Sequence, residues 1–110
     1  MSIDQEGLMF GLVVRFTCKD QQSAEAFDRL VAETLEGIKE REPGTLIYVS
    51  HLVEGQPLLR IFYELYADRA AFDAHEGQEH TKRFLARREE LLASVEVDWV
   101  TAQTGKGIAS

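Results

Sequence analysis

The sequence predicts an α+β domain with the element order β-α-β-β-α-β, and three observations carry that expectation. A chain of 110 residues with 45% apolar and 28% charged side chains has the make-up of one ordinary globular domain. Four stretches rich in Val, Ile, Leu and aromatic residues read as strands, three of them ending in clear turn or capping residues. One long stretch of period 3.6 separates the first strand from the second, and two shorter helical runs separate the third from the fourth.

The elements follow in order. Residues 1–7 are polar and expected to be loose, residues 8–103 form the domain, and residues 104–110 are a Gly-containing, frayed tail. Leu8 to Cys18 reads as the first strand. Asp20 or Ser23 can cap the helix that follows, expected over Ala24 to Arg41. There Phe27, Leu30, Val31, Thr34, Leu35 and Ile38 fall on one stripe, with charged residues around it. Glu42-Pro43-Gly44 stops the helix, because Pro43 biases its predecessor away from helical dihedrals and Gly44 permits a reversal.

Thr45 to Val53 is the second strand, Glu54-Gly55-Gln56-Pro57 a short loop, and Leu58 to Tyr66 the third strand, so these two form an antiparallel hairpin. A short helix is expected over Arg69 to His75, interrupted at Gly77, and a longer one from Glu79 to about Ala93. Val95 to Val100 alternates as the fourth strand. With right-handed crossovers this order closes into a four-stranded antiparallel sheet with the helices on one face, the ferredoxin-like arrangement. Strands two and three carry large apolar groups on both alternations, and helices cover one face only. A second copy of the sheet is the simplest cover for the other, which predicts a homodimer.

A net charge of −7 argues against a nucleic-acid partner, which calls for a basic face. One cysteine, Cys18, rules out an internal disulfide, in keeping with a reducing cytoplasm. No apolar run approaches the roughly 18 residues of a membrane helix, and the first residues lack a signal-peptide pattern. The expectation is a cytoplasmic protein without a membrane or nucleic-acid partner.

Usable chemistry concentrates between Leu58 and Phe84. Phe62, Glu64 and Tyr66 share one strand face, with Ile61, Tyr63 and Leu65 on the other. Phe72 and His75 share a face of the following helix, and His80 and Phe84 lie on the next. His75 is the candidate base; an imidazole with an ordinary pKa of about 6.5 suits removal of a phenolic proton. Its structural alternative is a histidine hydrogen-bonded to the sheet, for instance to Glu64. Glu64, a lone carboxylate among apolar neighbours, needs a partner and can orient His75 or anchor Arg60 or Arg15. Tyr48, Tyr63, Tyr66, Phe72, His80 and Phe84 are candidate substrate-binding residues, with core or interface positions as the alternative for the tyrosines. His51 is assigned to the dimer face. His75 and His80 are five apart, off the pitch of a helical metal pair, and neither a phosphate loop nor a dinucleotide fingerprint occurs. No metal and no cofactor are expected.

Glu42-Pro43-Gly44-Thr45, Phe62-Tyr63-Glu64-Leu65-Tyr66, Ala71-Phe72-Asp73-Ala74-His75 and His80-Thr81-Lys82-Arg83-Phe84 together resemble the antibiotic biosynthesis monooxygenase domain, over roughly Leu8 to Val100. The resemblance implies a dimeric α+β barrel, two such sheets packed face to face. It also implies a range of functions, since the family includes cofactor-independent monooxygenases of phenols or quinols, haem-degrading enzymes and isomerases. The family's strand motif is usually Glu-x-Trp, and Tyr66 stands here in place of the tryptophan. Haem-degrading relatives carry an asparagine, a tryptophan and a proximal histidine where this chain holds Val14, His75 and Leu85, so haem degradation is set aside. The expected function is a cofactor-independent monooxygenase, an oxidoreductase acting on a small phenol- or quinol-like aromatic. The alternatives are an isomerase or lyase that shuttles a proton on a small metabolite, and a non-catalytic dimer that binds a small molecule.

Overall fold

The computed structural model of the protein describes residues 9–107, and its elements run β1 (Phe10–Cys18), α1 (Gln21–Arg41), β2 (Thr45–Val53), β3 (Gln56–Tyr66), α2 (Arg69–Glu76), α3 (Glu79–Arg88) and β4 (Leu92–Thr101). The strands form one antiparallel sheet of order β2-β3-β1-β4, the ferredoxin-like topology. Residues 1–8, including the expected loose N-terminus and Leu8, and residues 108–110 of the tail lie outside the described residues.

Register assigns each side chain a face. Val14 sits opposite Phe62, Leu12 opposite Glu64 and Phe10 opposite Tyr66, so these six point the same way, toward the helices. There Phe16, Phe27, Phe62 and Phe84 make the centre of the core, with ring centroids 4.7 Å apart for Phe16 and Phe62 and 5.8 Å for Phe27 and Phe84. The opposite face carries Val13, Ile47, Val49, His51, Ile61, Tyr63 and Val100, and no helix lies over it. Both alternations of the central strands are thus apolar.

α1 starts at Gln21, three residues before the expected Ala24. Asp20 is its cap and accepts a hydrogen bond from the Ser23 amide at 2.7 Å, while Ser23 itself lies inside the helix. The β2–β3 hairpin is also tighter than expected. Val53 pairs with Gln56, leaving Glu54-Gly55 as the turn, and Gly55 takes a φ of 76° that L side chains rarely adopt.

The largest difference lies at the end of α3, expected to continue to about Ala93. It stops at Arg88, and Leu92 already pairs with Cys18 while the Lys19 amide donates to the Leu91 carbonyl at 3.0 Å. The end of β1 offers unpaired backbone groups, and pairing them outweighs the helical preference of Leu91-Leu92-Ala93. β4 therefore gains three residues at its start. No helix among the described residues is long and apolar enough to cross a membrane.

Candidate active site

The helices cover β2, β3 and β1 but leave part of β4 open, so Val95, Val97 and Trp99 stay exposed on the helix side of the sheet, Trp99 by 58%. Beside this strip lies a cavity of about 160 Å³. Its floor is Leu12, Val14, Phe16 and Glu64, with Tyr48, Val97 and Trp99 at the sides. α2 and α3 close it with Phe72, His75, Thr81, Phe84, Leu85 and Arg88, and Glu76 stands at the edge. An apolar cavity of about this volume holds a single benzene-sized ring.

His75 is buried and held by a residue that the sequence did not single out. Its Nδ1 donates to Glu42 Oε1 at 2.7 Å, across 33 positions of sequence. Thr45 Oγ1 donates to the same carboxylate at 2.7 Å, and His80 Nε2 bonds the other oxygen, Glu42 Oε2. The side chain of Glu42 is only 3% exposed. Burial alone would raise its pKa, yet the hydrogen bonds from His75, Thr45 and His80 overcome this and hold the carboxyl at about 2. A carboxylate accepts only, so the proton of a neutral His75 ring sits on Nδ1 and Nε2 carries the lone pair. Nε2 makes no hydrogen bond to a described residue, yet it is not a buried unpaired atom. The His75 ring lines the cavity. An imidazole held in this way can accept a proton from a bound molecule and share the resulting charge with Glu42.

Local structure explains why Glu42 sits there. It caps α1, its own amide bonding the Ile38 carbonyl at 3.1 Å, and the turn at Pro43-Gly44 then aims its side chain under α2 and α3. The His80 ring fits because residue 37 of α1 is glycine; a Cβ there would overlap ring atoms of His80. A faint signal for Glu42 does exist in the sequence. An acid at a helix C-terminus opposes the helix dipole, so its presence there calls for another use.

Glu64 lies on the cavity floor and accepts from the Tyr66 hydroxyl at 2.6 Å. Burial pushes its carboxyl up, and the hydrogen bond from Tyr66 only partly reverses this. Burial, followed by the charge of Glu64, likewise pushes the hydroxyls of Tyr48 and Tyr66 above their usual range. The expected partnerships of Glu64 are therefore corrected. His75 is oriented by Glu42, and Arg60 pairs with Asp28 through two contacts of 2.9 and 3.0 Å. Arg15 sits on the opposite face of the sheet.

The candidate binding residues divide. Tyr48, Phe72 and Phe84 line the cavity with His75, and the Tyr66 ring packs 5.2 Å from that of His75. Tyr63 points to the open face, beside Val49, and does not reach the cavity. His80 is turned toward an outer groove with Glu33, Gly37 and Arg83 and meets His75 only through Glu42. Arg88 and Trp99 were missed, since a helix-end arginine and the tryptophan of an alternating strand carry no local mark of a pocket. Among the described residues no cluster of three or more His, Cys, Asp or Glu side chains is placed to hold a metal ion.

Comparison with known proteins gives the fold and the family. A Caulobacter crescentus protein, provisionally assigned as an antibiotic biosynthesis monooxygenase, superposes with a TM-score of 0.83 at 23% identity, covering 91% of this chain and 93% of that one. A Pseudomonas aeruginosa protein matches at 26% identity and a TM-score of 0.78, covering 92% and 100%. One from Mycobacterium tuberculosis matches at 21% identity and a TM-score of 0.81, covering 90% and 99%. No curated protein matches the chain. The model of the antibiotic biosynthesis monooxygenase family matches residues 9–87, which span every element up to α3, and the chain belongs to that family.

Proposed function

We propose that the protein is a cofactor-independent monooxygenase of a small phenol- or quinol-like aromatic. The observation that carries this reading is the Glu42–His75 pair at the wall of an apolar cavity the size of one ring. His75 Nε2 takes the phenolic proton, and Glu42 stabilises the imidazolium that results. The phenolate is electron-rich enough to reduce oxygen by one electron, and the two radicals join as a ring-carbon peroxide. Glu64 gives a proton to the outer oxygen and takes the ring C–H proton as the O–O bond breaks, and the hydroxide released takes the proton held by His75 and leaves as water. Phenol and oxygen thereby become quinone and water, with one oxygen atom retained in the product. Glu64 lies on the cavity floor, where it can exchange these protons. Leu12, Val14, Phe16, Phe72 and Phe84 shield part of the bound ring from water.

The same acid and base also suit a second reading, proton transfer within a metabolite by an isomerase or lyase, with Glu64 as acid and His75 as base. Oxygen uptake with a panel of one-ring quinols separates the two, since the isomerase consumes no oxygen and incorporates solvent deuterium instead. His75→Ala should lower oxygen uptake by about 10²- to 10⁴-fold with the fold retained, the usual contribution of a general base. Unchanged turnover in that variant on a verified substrate would sink the assignment.

The working form we propose is a homodimer that buries the open sheet face carrying Ile47, Val49, Ile61 and Tyr63. In that arrangement Tyr63 and His51 serve the interface and the cavity stays on the helix side.

A further inference from the structure

Arg88 is the cation of this cavity, and its donors are unclaimed. The guanidinium lies over the rings of Phe16 and Phe84, 5.6 and 5.7 Å from their centroids, and it forms no hydrogen bond or ion pair with a described residue. Arg60, buried in the sheet, contrasts with it, since it gives two donors to Asp28 and makes two further contacts to backbone carbonyls. Three carboxylates, Glu64, Glu76 and the exposed Glu89, stand near Arg88 without pairing to it. Glu64 is taken up by Tyr66, and Glu76 is exposed at the edge of the cavity. A guanidinium presents five N–H donors in a planar fork, and the group that satisfies them best is a carboxylate or another planar oxyanion. Partial burial against aromatic rings removes competing water and strengthens such a contact.

The cavity also separates its polar groups. His75 packs against the Tyr66 ring, at the Phe10 end of β1, whereas Arg88 packs over Phe16, six residues along the same strand. A ring lying between them presents one substituent to each. We propose that the substrate is a one-ring aromatic acid, its carboxylate bound by Arg88 and its phenolic hydroxyl directed to His75. This deepens the phenolic reading given above and rests on it. It predicts selection for charge as well as size, and it excludes polycyclic phenols from the closed part of the pocket.

Trp99 is the protein's single tryptophan and lines the cavity, so its indole N–H gives one NMR signal that reports occupancy. The probes are 2,5-dihydroxybenzoate and 2,5-dihydroxybenzamide, two quinols of equal shape that differ in one charge, titrated without oxygen into the wild-type protein, Arg88→Gln and Arg88→Lys. The benzoate should bind at least about tenfold more tightly than the amide to wild type, the worth of one charge-assisted bidentate contact. In Arg88→Gln that ratio should fall to near one with the amide's affinity unchanged, and Arg88→Lys should keep part of it. Equal affinities in wild type overturn the proposal without need of any variant, as does a ratio that survives Arg88→Gln or failure of both probes to move the Trp99 signal. Oxygen uptake on admitting air is a separate readout. Uptake with both quinols but no charge preference refutes the Arg88 assignment and leaves the oxygenase reading standing, whereas charge-selective binding without uptake does the reverse.

Discussion

Replacing Glu42 with glutamine keeps the side chain's shape and removes one charge from a buried site with three donors, and its cost follows from the structure. Burial opposes the charged form, but the hydrogen bonds from His75, Thr45 and His80 bring the carboxyl from its ordinary 4.5 down to about 2. A folded-state pKa below the unfolded value stabilises the native protein above the unfolded pKa, and that contribution is lost as pH falls through the folded one. At about 1.36 kcal/mol per pH unit, the gap between 4.5 and about 2 amounts to roughly 3 kcal/mol at pH 7. That is a large share of the ~5–15 kcal/mol that holds a small domain together. Urea unfolding at fixed protein concentration should show Glu42→Gln less stable by this amount at pH 7. The difference should begin to shrink near pH 5 and reach roughly 2 kcal/mol by pH 3.5, as Glu42 of the unfolded wild-type chain protonates while the folded carboxylate stays ionised. A cost below about 1 kcal/mol at neutral pH, or a gap that stays constant with pH, refutes the reasoning. Glu42 would then be a solvated helix end and His75 would lack its orienting partner.

Three further outcomes are expected. Gly37→Ala would ordinarily gain about 1 kcal/mol in a helix, but its Cβ overlaps the His80 ring, so thermal unfolding should show a loss instead, and a gain in stability would contradict the close packing. Tyr66→Phe removes the donor to Glu64 and should cost about 1–3 kcal/mol; the bond favours the ionised carboxyl, so the cost should grow as pH rises from the ordinary carboxylate range upward, and a flat profile would contradict the pairing. Val49→Glu sets a charge at the centre of the open sheet face, and sedimentation should show the proposed dimer replaced by monomer; a wild-type monomer at micromolar concentration refutes the dimer itself.

Local sequence determined the elements and their order. The stripe of Phe27, Leu30, Val31, Thr34 and Ile38 defines α1, Asp20 caps it through its own side chain, and Gly55 supplies the left-handed residue of the hairpin. Each rests on contacts within a few residues, which is why it is legible. Alternation likewise put Tyr63 opposite Glu64 and Tyr66. What alternation does not say is which face the helices cover, and that choice makes Tyr66 a neighbour of the cavity and Tyr63 part of the open face. The end of α3 was decided by backbone pairing with Cys18, a strand some seventy residues earlier, against the preference of its own residues. The partner of His75 was decided in the same way. Glu64 is the nearer carboxylate in sequence, but Glu42, 33 positions away, is the one that the turn after α1 delivers to the imidazole. Orientation of a buried base depends on contacts across the fold, and a hydrogen bond between distant residues leaves no periodicity or spacing to read in one sequence.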